Sequence, residues 1–289
     1  DQKPATPTDR LKIFERHMQS ALPQYDAAVQ SLSSVDDDAI PSAFREPYQE
    51  GVILFAAFAD DMRDALGVSE MLSSVLGHEG FRRYLILFQN PHELRPTGGF
   101  MGSFAVVDVE QGNIVKIDVP PGGAYHIQGQ LPVYLSPPLP LQLVNKRWEF
   151  QDANWFPDFP ASAKQAAWFY QEARGTTVDG VVAINGTVLE RLLEIFGPIT
   201  SDPTYGVSLD AGNALLSLEL HNASVRDKKI YQPKAVIGDL LGEVLGRLSS
   251  LKEKDMVRIL VALHDALEER DIQIYLEDVA LQEQIRALH

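Results

Sequence analysis

The hydrophobic pattern of this 289-residue chain changes period between Leu76 and Arg82, and that change divides what the chain can fold into. Before it, Leu11, Phe14, Met18, Leu22 and Tyr25 recur at three- and four-residue steps, with Asp9 placed as an N-cap. Val52, Leu54, Phe55, Phe58, Met62 and Leu66 follow the turn-like residues 36–47, and Met71, Leu72, Val75 and Leu76 close the region ahead of Gly77 and Gly80. The spacing predicts three helices within residues 9–77, a helical appendage, preceded by a Pro- and Thr-rich tether at 1–8. After the change, residues 82–89 (RRYLILFQ) run apolar and aromatic without alternation, as a strand buried on both faces does.

Residues 102–109 and 113–119 then alternate on either side of Glu110, Gln111 and Gly112, which predicts a hairpin with a short turn. Beyond a Pro-rich stretch at 120–140 come a helical pattern at 161–174, a strand at 177–184 and a helix at 187–196 that stops at Gly197-Pro198. Ser208-Leu209-Asp210 caps another helix, residues 234–251 and 255–270 are two longer amphipathic ones, and 272–276 is a final strand before a terminal helix. This alternation predicts an α/β domain over residues 80–289, a mixed sheet flanked by helices.

Composition removes several functions. Forty acidic against twenty-five basic side chains leave a net charge of -15, which repels phosphate backbones over a Debye length of about 8 Å and disfavours nucleic acid as a partner. A cleft lined by a few arginines could still take one phosphorylated ligand. Cysteine is absent, and the seven histidines show no HExxH or HxH spacing. No run of about 18 apolar residues occurs. A start at Asp1 without methionine reads as a trimmed fragment.

The residues with chemical potential gather in two loops. The first, 90–102 (NPHELRPTGGFMG), places Glu93, Arg95 and Thr97 among prolines and glycines; Arg95 is a fork for carboxylate or phosphate, or an internal partner for Glu93. The second, 148–163 (WEFQDANWFPDFPASA), embeds Asp152, Asn154 and Asp158 among aromatics. That set can coordinate a hard cation or orient a hydroxyl; alternatively Asp158 or Ser162 caps the next helix. The run 225–229 (VRDKK), with Lys234 after it, is either a solvated loop or the cationic rim of an anion pocket. Asn185-Gly186-Thr187 and Asn222-Ala223-Ser224 match the glycosylation sequon and equally suit turns.

The segments RRYLILFQNPHELRPTGGFMGSF, DANWFPDFPASA, TTVDGVVAINGTVLERLLEIFGPI and RDIQIYLEDVALQ resemble the bacterial family called domain of unknown function 4012, from about Gly80 onward. The block from Glu93 to Phe100 is its most specific motif. The resemblance implies an extracytoplasmic envelope protein whose parent is anchored by an N-terminal membrane helix outside this chain. A more distant similarity is to the LytR-CpsA-Psr phosphotransferases, which attach glycopolymers carried on polyprenyl pyrophosphate to the cell wall. It implies a three-layer α/β fold, with a polyprenyl-linked glycan or lipid carrier and a cell-wall polymer as partners. By position, Arg95 would be the phosphate fork, and Asp152 or Asp158 would serve Mg2+ or the acceptor hydroxyl. Glu93, Thr97, Gly98, Gly99, Arg83, Arg147, Asn154 and Lys164 complete the implied ligand set. The multi-arginine pattern of those enzymes is not reproduced, so a noncatalytic envelope module binding a glycan, lipid carrier or protein partner stands as the alternative.

Overall fold

A computed structural model describes residues 5–227 and 234–287. The chain divides into two compact units, residues 1–82 with 109–115, and residues 83–108 with 116–289.

In the first unit two long helices form where three were expected, α1 (Pro7–Ser33) and α2 (Ser42–Val75). The cap of α1 is Thr6, and Asp9 is its partner three residues on: Thr6 N–H donates to Asp9 Oδ2 at 2.8 Å and Asp9 N–H to Thr6 Oγ1 at 3.2 Å, a reciprocal capping box. Pro23 lies inside α1 and Pro47 inside α2, and neither ends its helix. Packing between the two helices outweighs the single backbone hydrogen bond each proline removes. Buried Glu15 ties them together, accepting from Ser73 Oγ at 2.6 Å and Ser69 Oγ at 3.3 Å beside Lys12 at 2.7 Å.

Strands β1 (Arg82–Asn90), β2 (Phe100–Glu110) and β3 (Asn113–Asp118) follow, the last two joined through Gln111 and Gly112, both at positive φ as a type I′ turn requires. Then come α3 (Phe159–Arg174), β4 (Gly180–Asn185), α4 (Gly186–Phe196), the short β5 (Ile199–Thr200) and β6 (Ser208–Leu209), α5 (Ala214–Asp227), α6 (Ala235–Ser249), α7 (Glu253–Glu268), β7 (Ile272–Leu276) and α8 (Val279–Ala287). The main sheet has the order β3-β2-β1-β4-β7, so the continuous apolar run is its central strand. β1 runs parallel to β4 and β4 antiparallel to β7, which makes the sheet mixed, as the alternation of elements predicted.

The two faces of this sheet serve different purposes. Leu85 pairs with Val181 and Leu87 with Ala183, and these side chains join Tyr275 and the α3 residues Ala163, Ala166 and Phe169 in the main hydrophobic core. Side chains alternate along a strand, so Phe88, Ile184 and Ile272 face the other way. They line a cavity instead.

Candidate functional site

That cavity, about 360 Å³, lies in the second unit and is walled by leucines from four helices: Leu189 and Leu192 of α4, Leu215 and Leu218 of α5, Leu241 and Leu245 of α6, and Leu263 of α7. Its volume falls at the lower end of small-molecule sites, and its lining suits a hydrocarbon chain. Gly186 opens the floor, because a Cβ there would collide with Leu215 Cδ2.

The lining also carries polar groups. Lys234 leads into α6, its N–H donating to Pro121 carbonyl at 2.9 Å. Gly123 makes room for its side chain, since a Cβ there would sit 2.9 Å from Lys234 Cγ. Burial pushes the Lys234 ammonium below the ordinary lysine range, while Glu93 and Glu219 pull it back up. Glu219 is itself held by Asn90 Nδ2 at 2.9 Å and by the His92 ring at 3.1 Å. Ser103 Oγ, Asn185 Oδ1 and Asn222 Oδ1, all on the lining, are buried with no hydrogen-bond partner among the described residues. Buried polar atoms are normally satisfied, so three orphans on the lining that also carries Lys234 are candidate anchors for a polar ligand group.

The two sequence loops meet next to this lining. Asn154 Nδ2 donates to Gly99 carbonyl at 2.8 Å, Thr97 Oγ1 at 3.0 Å and Gln89 Oε1 at 3.1 Å. Thr97 Oγ1 also donates to Gln89 Oε1 at 2.6 Å, and Gln273 Nε2 to Thr97 carbonyl at 2.6 Å. The glycines are needed here: a Cβ on Gly99 would overlap the Asn90 carbonyl, and one on Gly98, at φ +117°, would sit 2.9 Å from Asn185 Nδ2. Gln89 and Asn185, paired near the ends of β1 and β4, also border the cavity, so the motif abuts its wall.

The charged candidates are dispersed. Arg83 is bidentate to Asp108, Nε to Oδ1 at 2.7 Å and Nη2 to Oδ2 at 2.8 Å, and donates to Thr176 Oγ1 at 2.9 Å. Arg147 pairs with Glu149 at 3.1 Å and donates to the carbonyls of Leu131 and Val133. Lys164 Nζ stands 5.6 Å from the Tyr275 ring centre. Arg95 lies 4.9 Å from the Phe100 ring centre and donates to Leu94 carbonyl at 2.9 Å; Glu93 is exposed. Asp158 Oδ2 accepts from Ala161 N–H at 3.2 Å as the N-cap of α3. Asp152 is buried, and that burial raises its carboxyl above the usual carboxylate range, with the Arg95 charge and the 2.7 Å bond from Asn145 Nδ2 opposing. Of the two carboxylates proposed to serve Mg2+, Asp158 is committed to a helix end and burial disfavours the ionised form of Asp152. Among the described residues no three acidic or histidine side chains gather around one point.

Sequence reasoning noted Lys234 as a possible cationic rim, and it stands on the cavity lining. Lys228 and Lys229, from the same basic run, lie outside the described residues. Asn185 and Asn222, noticed only as sequons, are on the lining too, with Asn185 Nδ2 donating to Asp271 Oδ1 at 2.9 Å. Ser103 carried no signal; a lone serine in an alternating strand has none to give.

Residues 79–221 match the model of the family described as "Protein of unknown function (DUF4012)", the resemblance read from the sequence. None of the curated proteins matches this chain. Solved structures that the chain matches include gbs0355 from Streptococcus agalactiae, at 14% identity, 72% coverage of each chain and TM-score 0.45. TagV of Bacillus subtilis is 14% identical over 71% of this chain and 80% of that one, with TM-score 0.39. The transcriptional regulator yvhJ of Bacillus subtilis is 12% identical over 72% and 78%, with TM-score 0.40. Among the described residues no helix is long and apolar enough to cross a membrane.

Proposed function

We propose that residues 79–221, matched by the family of unknown function 4012, together with the helices that follow them, form the body of an extracytoplasmic envelope protein that binds a polyprenyl-linked glycan or its lipid carrier. The lipid chain would lie in the leucine-walled cavity, its phosphate head beside Lys234. The observation that carries this reading is the combination in one cavity of an apolar wall with a half-buried lysine and three polar atoms that have no partner among the described residues. A hydrocarbon chain accounts for the first, since each buried methylene is worth about 0.8 kcal/mol. An anionic head accounts for the second.

Binding without transfer fits the charges better than catalysis does. Phosphoryl transfer relies on several cations converging on the developing charge, and one missing arginine costs about 10³ in rate or more. Here Arg83 and Arg147 are engaged with Asp108 and Glu149. The test is native mass spectrometry of the chain incubated with a polyprenyl phosphate and a polyprenyl pyrophosphate, with and without magnesium. One lipid retained per chain, lost in Leu245→Trp, is the expected result. No retention sinks the lipid-carrier reading, and release of phosphate with magnesium replaces binding by transfer.

A further inference from the structure

If the cavity holds a lipid chain, the chain must enter it from a bilayer, and two helices of the cavity wall carry the surface for that step. Leu215 and Leu218 of α5 and Leu263 of α7 line the cavity, and α4 packs against both helices. On the same two helices Leu216, Leu220, Met256, Val257, Leu260 and Val261 are each between 50% and 63% exposed. Leu216 and Leu220 are one turn apart, as are Met256 and Leu260, and Val257 and Val261, so each helix bears an apolar stripe beside its cavity face. Leu260 stands three residues before the lining Leu263, which puts the stripe and the cavity wall on adjoining faces of one helix.

We propose that these stripes of α5 and α7 dock onto a lipid bilayer and that lipid passes along them into the cavity. Scattered exposed leucines need no explanation, but six large apolar side chains in stripes on two helices that also wall an apolar cavity are more than scatter. Two further observations favour a bilayer over a protein surface. Leu218, Leu241, Leu245 and Leu263 of the wall are only half-buried, so part of the apolar cavity wall is itself open to solvent on the helices that carry the stripes. At the start of α7 the stripe is bordered by exposed Lys252 and Lys254, whose ammonium groups suit the phosphates of a headgroup layer, although Glu253 lies between them.

This inference rests on the lipid-binding reading of the cavity, and the experiment separates the two. The chain is floated with vesicles of phosphatidylcholine containing a minor share of phosphatidylglycerol, and binding of a water-soluble short-chain prenyl phosphate is measured separately without vesicles. Leu260→Asp/Val261→Asp and Leu216→Asp/Leu220→Asp are compared with the unaltered chain after their melting temperatures are shown to match it. The expected result is a drop in the vesicle-bound fraction of about tenfold or more in either variant, since two buried apolar side chains are lost, with prenyl phosphate binding kept. Absence of flotation by the unaltered chain, or equal flotation by the variants, overturns the docking surface. A dimer in solution that the same substitutions dissociate, without flotation, also overturns it and assigns the stripes to a second copy. Flotation lost in the variants while the unaltered chain binds no prenyl phosphate keeps the docking surface and overturns only the cavity reading.

Discussion

Asn154 Nδ2 donates to the Gly99 carbonyl at 2.8 Å and so joins the loop after β1 to the loop before α3. The same amide meets Thr97 and Gln89, all of them buried. Asn154→Ala leaves the Gly99 carbonyl and two side-chain oxygens short of a donor, and should cost about 1–3 kcal/mol in denaturant unfolding. Asn154→Asp should cost more than the alanine change, because it turns a donor into a carboxylate facing three oxygens. Equal stability of the two variants would show that the amide is not what holds the loops.

Asp158 caps α3 through its bond to Ala161 N–H. Asp158→Ala should lower stability by about 1 kcal/mol, and Asp158→Asn by much less, since asparagine is an equally good cap. Both should bind prenyl phosphate as the unaltered chain does. Loss of binding in the stable Asn variant would make the carboxylate part of the site.

The Arg83–Asp108 pair supplies a pH signature. Hydrogen bonds from Arg83 hold the Asp108 carboxyl below its ordinary value, against the opposing effect of burial. A lowered folded-state pKa means stability that is fully present above the unfolded value of about 3.9 and is lost as pH falls through the folded one. Melting temperatures scanned from about pH 6 downward should fall more steeply below pH 4 for the unaltered chain than for Asp108→Asn, which starts lower by roughly 1–3 kcal/mol. Parallel curves would deny the pair this role.

Lys234 gives the opposite sign. Its folded-state pKa lies below that of an unfolded lysine, so the unfolded chain binds more protons in the interval and the ligand-free fold gains stability as pH rises through it. An anionic head needs the ammonium, so affinity for prenyl phosphate should fall over that interval, starting below the usual lysine value of about 10.4. Lys234→Met should fold at least as stably and lose the phosphate-dependent part of binding, measured as the ratio between prenyl phosphate and prenyl alcohol affinities. An unchanged ratio would remove Lys234 from the head site.

The elements were legible in the sequence because each is a local period. The run RRYLILFQ, the alternation around Gln111-Gly112 and the stop at Gly197-Pro198 all produce the elements they signal. Two long helices appear in place of three because the apolar stretches at 52–66 and 71–76 run on as one helix through Gly67, and α2 begins within the residues read as turn-like, with Pro47 inside it. The site was less legible. The loops of Arg95 and Asp158 were each noticeable for composition, but their link through Asn154 spans 55 residues and exists only in the folded chain. The cavity is fainter still, since Leu192, Leu218, Leu241 and Leu245 read as ordinary core positions of amphipathic helices until four helices leave a gap between them. Local periodicity says which face of a helix is apolar, not whether something else will fill the space it faces.

The pairing of β4 with β7 sets a timetable for synthesis. β4 is complete at Asn185, but its second edge is covered only when residues 272–276 arrive, with Asn185 N–H then donating to the Asp271 carbonyl at 2.8 Å. Roughly ninety residues must leave the ribosome while a hydrophobic strand keeps one row of unpaired amides and carbonyls, the kind of edge that recruits other chains. A nascent chain stalled or cut anywhere in that interval would display an adhesive strand instead of a finished sheet, so the last strand acts as the seal against aggregation as well as a border of the leucine-walled cavity.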